Sequence, residues 1–191
     1  MTAASSEPGT GLRERHRRRT MDAIIDAALA LFEEKGYDAV SVEEIAATAD
    51  VSPRTFYRYF PAKDDVLVLG PDTGAAVQAA LAEDSPDETD VDFVARILMA
   101  ALRARRPERA RRGYQLIQTT PALQARIYRL VSGDQDVIVQ ALLARGAARQ
   151  SSRGNPAGAA ELRARLITVA VSDAIRLGVG AWIQAGQRGP V

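Results

Sequence analysis

The chain has 191 residues, 47% of them hydrophobic and 26% charged, with a formal net charge of +1; that is enough for one small and one medium domain. It contains no cysteine and a single histidine, His16, which removes disulfides and thiolate metal sites and leaves little from which to build a Ser-His-Asp triad or a histidine-rich zinc site. No enzymatic activity, no metal and no cofactor are therefore expected.

Charge is distributed unevenly, and distribution says more about partners than the total does. Five arginines (13, 15, 17, 18 and 19) stand against the single Glu14, whereas residues 83–92 are almost purely acidic. The polar N-terminus lacks a signal-peptide core, and no apolar run approaches the roughly 18 residues of a membrane span. A cytoplasmic chain without a membrane partner is the expectation.

Residues 1–12 are small, polar and Gly/Pro-bearing, a composition that predicts disorder; with the arginines behind them they read as a flexible basic arm over 1–18. A first helix is predicted over about 20–35, where Ile24, Ala28 and Phe32 repeat beside Ile25 and Leu29 on one apolar face. Gly36 supplies a left-handed position that ends it. Ser41 opens a second helix, with Glu44 three residues later completing a capping box. A sharp turn at Asp50 follows, and Ser52 caps a third helix over about 53–59 whose first position suits Pro53. Phe56 and Phe60 can point into a small core, leaving Arg54, Thr55, Tyr57, Arg58 and Tyr59 nearer the outside. Exposed arginine, threonine and tyrosine at the start of a second helix are what base edges and phosphates require.

Over about 19–67 the chain resembles the DNA-binding domain of the TetR family of transcriptional regulators. The resemblance rests on Ala27-Ala28-Leu29-Ala30-Leu31-Phe32, Gly36-Tyr37, Ser41-Val42-Glu43-Glu44-Ile45-Ala46, Val51-Ser52, Tyr57-Arg58-Tyr59-Phe60 and Lys63-Asp64-Asp65-Val66-Leu67 in that order. One departure is Asp50, where the family usually has glycine; aspartate visits the left-handed region more readily than most residues. The resemblance implies base or groove contacts from Pro53, Arg54, Thr55 and Tyr57, beside the capping Ser52, and phosphate contacts from Ser41, Tyr59 and Lys63. Arg54 is the best candidate for reading sequence, Arg58 for holding a phosphate, and Arg17, Arg18 and Arg19 for an arm along phosphates or in the minor groove.

The remainder reads as helical without strand alternation. A helix over about 63–83, interrupted at Gly70-Pro71, leads to an acidic loop at 84–90 and to helices near 91–105, 107–119, 121–149 and 157–185, with a loop at 151–156. The resemblance implies an all-α protein: a three-helix helix-turn-helix domain over 19–62, then a helical domain over 63–191 that binds an effector and dimerises. Phe93, Ile97, Leu102, Tyr114, Ile117 and Tyr128 are candidate cavity residues. The last two helices are apolar nearly all round, which makes Ile138, Leu142, Val171, Ile175, Gly178 and Trp182 candidates for a dimer interface with close helix approach at Gly178. The arginines at 103–112 form a cluster that either pairs with nearby acids, the 83–92 segment being the ready partner, or holds an anionic ligand at a pocket mouth.

The expected function is a homodimeric, sequence-specific DNA-binding regulator, a repressor released by a small, largely apolar ligand. Its partners would be a near-palindromic double-stranded operator, a second copy of the chain and an unidentified effector. The rival reading is an architectural DNA-binding protein whose C-terminal part only dimerises.

Overall fold

The structure is a computed structural model describing residues 8–83, 85, 87–149 and 157–185, and among these the side chains of all but 8–10, 128–134, 149 and 157. Its elements are α1 (Pro8–Lys35), α2 (Val42–Thr48), α3 (Pro53–Tyr59), a 3-10 turn (Lys63–Leu67), α4 (Thr73–Ala82), α5 (Asp90–Arg103), α6 (Pro107–Thr119), α7 (Pro121–Arg149) and α8 (Ala157–Gln184). No strand occurs among the described residues. The chain is all-α, a helix-turn-helix unit followed by further helices. The expected loop at 151–156 and disorder over 1–7 lie outside the described residues.

The helices divide into two compact units. The first takes in the described residues up to Asp72 together with Arg105–Thr120, and so includes α6; the second holds Thr73–Ala104 and the chain from Pro121 onward. The unit that carries the helix-turn-helix thus runs to Asp72, past the expected boundary at 62, and recruits a helix from much later in the chain.

In the first unit α1, α2 and α3 enclose Ile24, Ala28, Leu29, Phe32, Ile45, Ala46, Phe56 and Phe60, all essentially without solvent contact. Phe32 meets Tyr37 with ring centroids 5.1 Å apart, and Phe56 meets Phe60 at 5.6 Å, tilted in both cases. Such pairs add specific geometry to burial. Helix α1 begins at Pro8 instead of residue 20, so residues 8–18 are helical where a flexible arm was expected. Local ion pairs explain much of this: Arg17 grips Glu14 with two hydrogen bonds of 2.9 and 2.7 Å, and Arg18 reaches Glu14 at 3.3 Å. These are i,i+3 and i,i+4 pairs, which favour helix.

The predicted helix over 63–83 is broken. The 3-10 turn ends at Leu67, Gly70 and Pro71 lie between, and α4 restarts at Thr73, because proline can neither donate to the preceding turn nor leave its predecessor free to be helical.

The second unit packs Ala80 of α4, Phe93, Val94 and Ile97 of α5, Ile138, Val139 and Leu142 of α7, and Ala164 of α8 into one core. Its α4–α5 connection is pinned by two arginines. Arg96 forms a fork on Glu88 (2.7 and 2.9 Å), while buried Arg145 donates to the carbonyls of Ser85 (3.1 Å) and Glu88 (2.7 Å). Both guanidinium groups also sit over the Phe93 ring, at 5.4 and 4.8 Å.

The expectation about membrane-spanning length is corrected at α8. Its stretch Gly158–Gln184 is long and apolar enough to cross a membrane by composition, with a mean hydropathy of 1.5 over 18 residues. Its leucines, isoleucines and valines raise the average, although Asp173 and Arg176 interrupt the run. This helix packs against α5 and α7, and Ser172 accepts a hydrogen bond from Gln135 at 3.2 Å.

Candidate nucleic-acid interface

The turn between α2 and α3 is built by backbone chemistry. Ser41 Oγ accepts from Glu44 N at 3.1 Å and so caps α2. The reciprocal half of the expected capping box is missing, since the Glu44 carboxylate pairs instead with Lys35 Nζ at the end of α1. A cation competes better than a neutral backbone N–H for that carboxylate. Gly36, at φ +81°, ends α1 in the left-handed region. At the tip of the turn Asp50 is also left-handed, with φ +54°, the backbone geometry expected where the family has glycine. Val51 N then donates to Ala46 O at 2.9 Å, closing the turn. Ser52 Oγ accepts from Thr55 N at 3.2 Å and donates to Thr55 Oγ1 at 3.1 Å, so two of the proposed contact side chains also organise the start of α3.

Helix α3 is then fixed from behind. Phe56 and Phe60 are fully buried. Past its end, Asp65 Oδ2 accepts from Ala62 N at 2.8 Å, and buried Asp64 accepts from the Tyr37 hydroxyl. Lys63 Nζ donates to the carbonyls of Tyr37 and Val40 at 2.8 and 2.9 Å and lies 4.2 Å from the Tyr37 ring centroid. The side chain read from sequence as a phosphate contact is therefore occupied inside the unit, clamping the α1–α2 loop to the turn after α3.

Pro53, Arg54, Tyr57 and Arg58 are exposed on α3, while Thr55 and Tyr59 are half-buried. Tyr57 keeps 51% of its surface in water. Arg58 is used locally, with its guanidinium 4.8 Å from the Tyr59 ring and Nη2 donating to Tyr59 Oη at 3.2 Å. Ser41 is exposed beside this surface's support helix. An arginine and a tyrosine projecting from a short helix seated on a rigid aromatic core can enter a groove and meet base edges or phosphates.

Of the arm residues, Arg19 is exposed, whereas Arg17 and Arg18 are engaged within the unit. Arg17 Nη2 donates to the Pro71 carbonyl at 2.7 Å, and Arg18 pairs with Asp72 at 2.6 Å.

The arginine cluster at 103–112 resolves into a second ionic seam. Arg106 pairs with Asp22, Arg109 with Asp22 and Asp26, and Arg112 forms a fork on Glu33 with two 2.7 Å bonds. The acids are those of α1 and not the 83–92 segment, so the sequence expectation had the wrong partner: α6 folds back onto α1, a juxtaposition that only tertiary structure creates. The Arg112 hydrogen bonds hold the Glu33 carboxyl below its ordinary range, against the opposing effect of partial burial. Arg105 is half-buried, its guanidinium donating to the Leu67 carbonyl, and desolvation lowers its pKa to about 10.

The expected cavity residues divide between the units. Phe93, Ile97 and Leu102 belong to α5 in the second; Tyr114 and Ile117 lie on α6 in the first. Phe93 and Ile97 are core, 4% and 1% exposed; the Tyr128 side chain lies outside the described residues. An open depression of about 310 Å³ occurs in the first unit, between the ends of α1 and α6, lined by residues including Phe32, Tyr37, Arg112 and Gln115.

Two of the expected dimer residues need correction as well. Ile138 and Leu142 are buried in their own unit and Val171 packs against the same core, whereas Ile175 and Trp182 are half-buried and Gly178 is exposed. The apolar side chains left in water are instead Leu162, Leu166, Val169 and Leu177 on α8 and Val137 on α7. Their spacing along α8 (162, 166, 169, 177) follows helical periodicity, a signal present in the sequence but masked by a helix apolar on every side.

These features define a helix-turn-helix domain with the outer face of its second helix exposed. Residues 24–68 match the family of bacterial regulatory proteins, tetR family. The chain is 48% identical over 64 residues to the HTH-type transcriptional regulator TcmR of Streptomyces glaucescens, covering 34% of this chain and 28% of that protein. It is 42% identical over 65 residues to the HTH-type transcriptional repressor KstR of Mycolicibacterium smegmatis, covering 34% and 30%. The aligned segment thus spans less than a third of either relative. Among solved structures, Salmonella enterica GusR superposes over 97% of both chains with 20% identity and a TM-score of 0.44.

Proposed function

We propose that this chain is a dimeric, sequence-specific DNA-binding transcriptional regulator, a repressor that a small ligand releases from its operator. The observation that carries the reading is α3: Arg54 and Tyr57 stand exposed on a helix whose Ser52 cap and buried Phe56 and Phe60 leave it no freedom to retract. Pro53, Arg54, Thr55 and Tyr57 would meet the groove, Ser41, Arg58 and Tyr59 the backbone. The likeness to a regulator and a repressor supports this.

A twofold dimer would present two such helices to a near-palindromic site. The aliphatic row on α8 supports a second copy as its occupant, because four large aliphatic side chains in water carry a continuing cost that burial relieves. A membrane would have to accept Asp173 and Arg176 within the same stretch, each costing about 2.5–3.5 kcal/mol at mid-bilayer. Release by an effector requires a ligand that binds better to the geometry in which the two reading helices are wrongly spaced.

Selection of duplexes from a random pool by the full chain tests the reading, followed by footprinting of the enriched sequence. A protected inverted repeat, abolished specifically by Arg54→Ala, is the expected result. A pool that never enriches would overturn sequence-specific binding. Apolar and amphipathic anionic compounds are the first to try for displacement; failure of every compound would favour an effector-independent architectural protein.

A further inference from the structure

We propose that the N-terminal turns of α1 form a rigid second DNA-contact element, with Arg13, Arg15 and Arg19 neutralising backbone phosphates that flank the site read by α3. This rests on the DNA-binding reading above. It divides the basic segment into two groups with different tasks.

Arg17 and Arg18 are anchors. Arg17 is held four ways: by both Glu14 carboxylate oxygens, by the Pro71 carbonyl and by Met21 Sδ at 3.1 Å. Arg18 spans Glu14 and Asp72. At about 100° per residue, Glu14, Arg17, Arg18 and Met21 share one side of the helix with Ile24, Ile25 and Ala28 of the core. These residues bolt the first turns of α1 to the 71–72 segment.

Arg15 and Arg19 lie on the opposite side of the helix, and Arg13 at its edge. All three are exposed, and no hydrogen bond or ion pair among the described residues holds any of them. The location suits DNA. Helices α1 and α3 belong to the same compact unit, and Arg17 fastens the extension to Pro71, in the segment that follows α3 and the 3-10 turn. Three unpaired guanidinium groups on a pre-formed helix bind phosphates without the ordering cost that a flexible arm would incur. Phosphate is the chemistry matched, since nothing in this group is positioned by a second residue to read a base edge.

The test measures binding of the full chain to an arbitrary-sequence duplex several helical turns long, as a function of salt. Replacing Arg13, Arg15 and Arg19 together with alanine should reduce the slope of log K against log salt by up to about 0.9 for each phosphate no longer neutralised, with helix content and thermal midpoint unchanged. Arg17→Gln should weaken binding several-fold yet keep the wild-type slope, because a loosened helix still carries its three free arginines. A triple variant with the wild-type slope would overturn the proposal, as would an Arg17→Gln variant whose slope falls by a full phosphate's worth. If the unaltered chain binds no duplex at any salt concentration, the DNA-binding reading itself fails.

Discussion

Helices α3 and α8 each leave side chains in water, and the contrast between them underlies the two partners proposed above. On α3 the exposed residues are Arg54, Tyr57 and Arg58, on a helix of seven residues held by a cap and two buried phenylalanines. On α8 they are Leu162, Leu166, Val169 and Leu177, on a helix four times as long. Hydrogen-bonding groups on a short rigid wedge suit a polyanion, whose phosphates attract charge and whose base edges reward geometry. A long aliphatic row offers no geometry for hydrogen bonding and gains only by leaving water. The supports differ as well. The first unit is cross-braced by polar clamps, Lys63 on the α1–α2 loop and the α6 arginines on α1; the second centres on an apolar cluster with two arginines fastening one connection.

That contrast can be broken from either side. The largest effect is expected at α8: Leu166→Glu with Leu177→Glu places two carboxylates in the proposed contact between copies. Burying a charge without a partner costs several kcal/mol, so self-association, followed by sedimentation equilibrium, should weaken a hundredfold or more. Retention of a tight dimer would move the interface elsewhere.

At α3, Arg54→Ala should cost about 1–3 kcal/mol on the selected operator and relax preference at one base pair per half-site. Equal losses on operator and arbitrary duplex would reassign Arg54 to phosphate.

In the brace between α6 and α1, Arg109 has only 10% of its side chain exposed and serves Asp22 and Asp26 together. Arg109→Met should lower stability by about 1–2 kcal/mol, less than a fully buried pair because Asp26 is half in water. Thermal unfolding of the full chain reads this directly. No change would mean that the seam is ornamental and apolar packing alone holds α6.

The smallest effect is in pH. Glu33, held below its ordinary pKa by Arg112, binds a proton more readily in the unfolded chain than in the folded one. Its contribution is complete above the ordinary carboxylate range and disappears as pH falls through the depressed folded value. Glu33→Gln should therefore flatten the acid side of the stability profile slightly while leaving the neutral region's slope untouched; an unchanged acid limb would show that the pair is too solvated to matter.

The helix-turn-helix was legible because its determinants are local. Ser41 and Ser52 cap their helices, Asp50 takes the left-handed turn position, Gly36 ends α1, and Phe56 and Phe60 fall on the inward side, all within interactions spanning a few residues. The starting points of α6 and α7 were equally readable, since Pro107 and Pro121 begin them. The exposed face of α3 followed from the same short-range periodicity. What the sequence did not carry was long-range: the partner of the arginine cluster, the hydrogen bonds of Lys63, and which apolar residues of α7 and α8 are buried in their own unit.

The sequence by itself determined the all-helical content, the reading helix and its exposed arginine and tyrosine, because capping, proline placement and 3.6-residue periodicity act within one or two turns. Only the tertiary structure decided that Arg109 and Arg112 meet Asp22, Asp26 and Glu33, far apart in the chain, and that Lys63 is occupied by the Tyr37 and Val40 carbonyls. It also decided that Ile138 and Leu142 vanish into the core while Leu166 and Leu177 do not. A charge or an aliphatic side chain has no preferred partner written into its own neighbourhood. Which one it meets depends on how the helices pack, and that is a property of the whole chain.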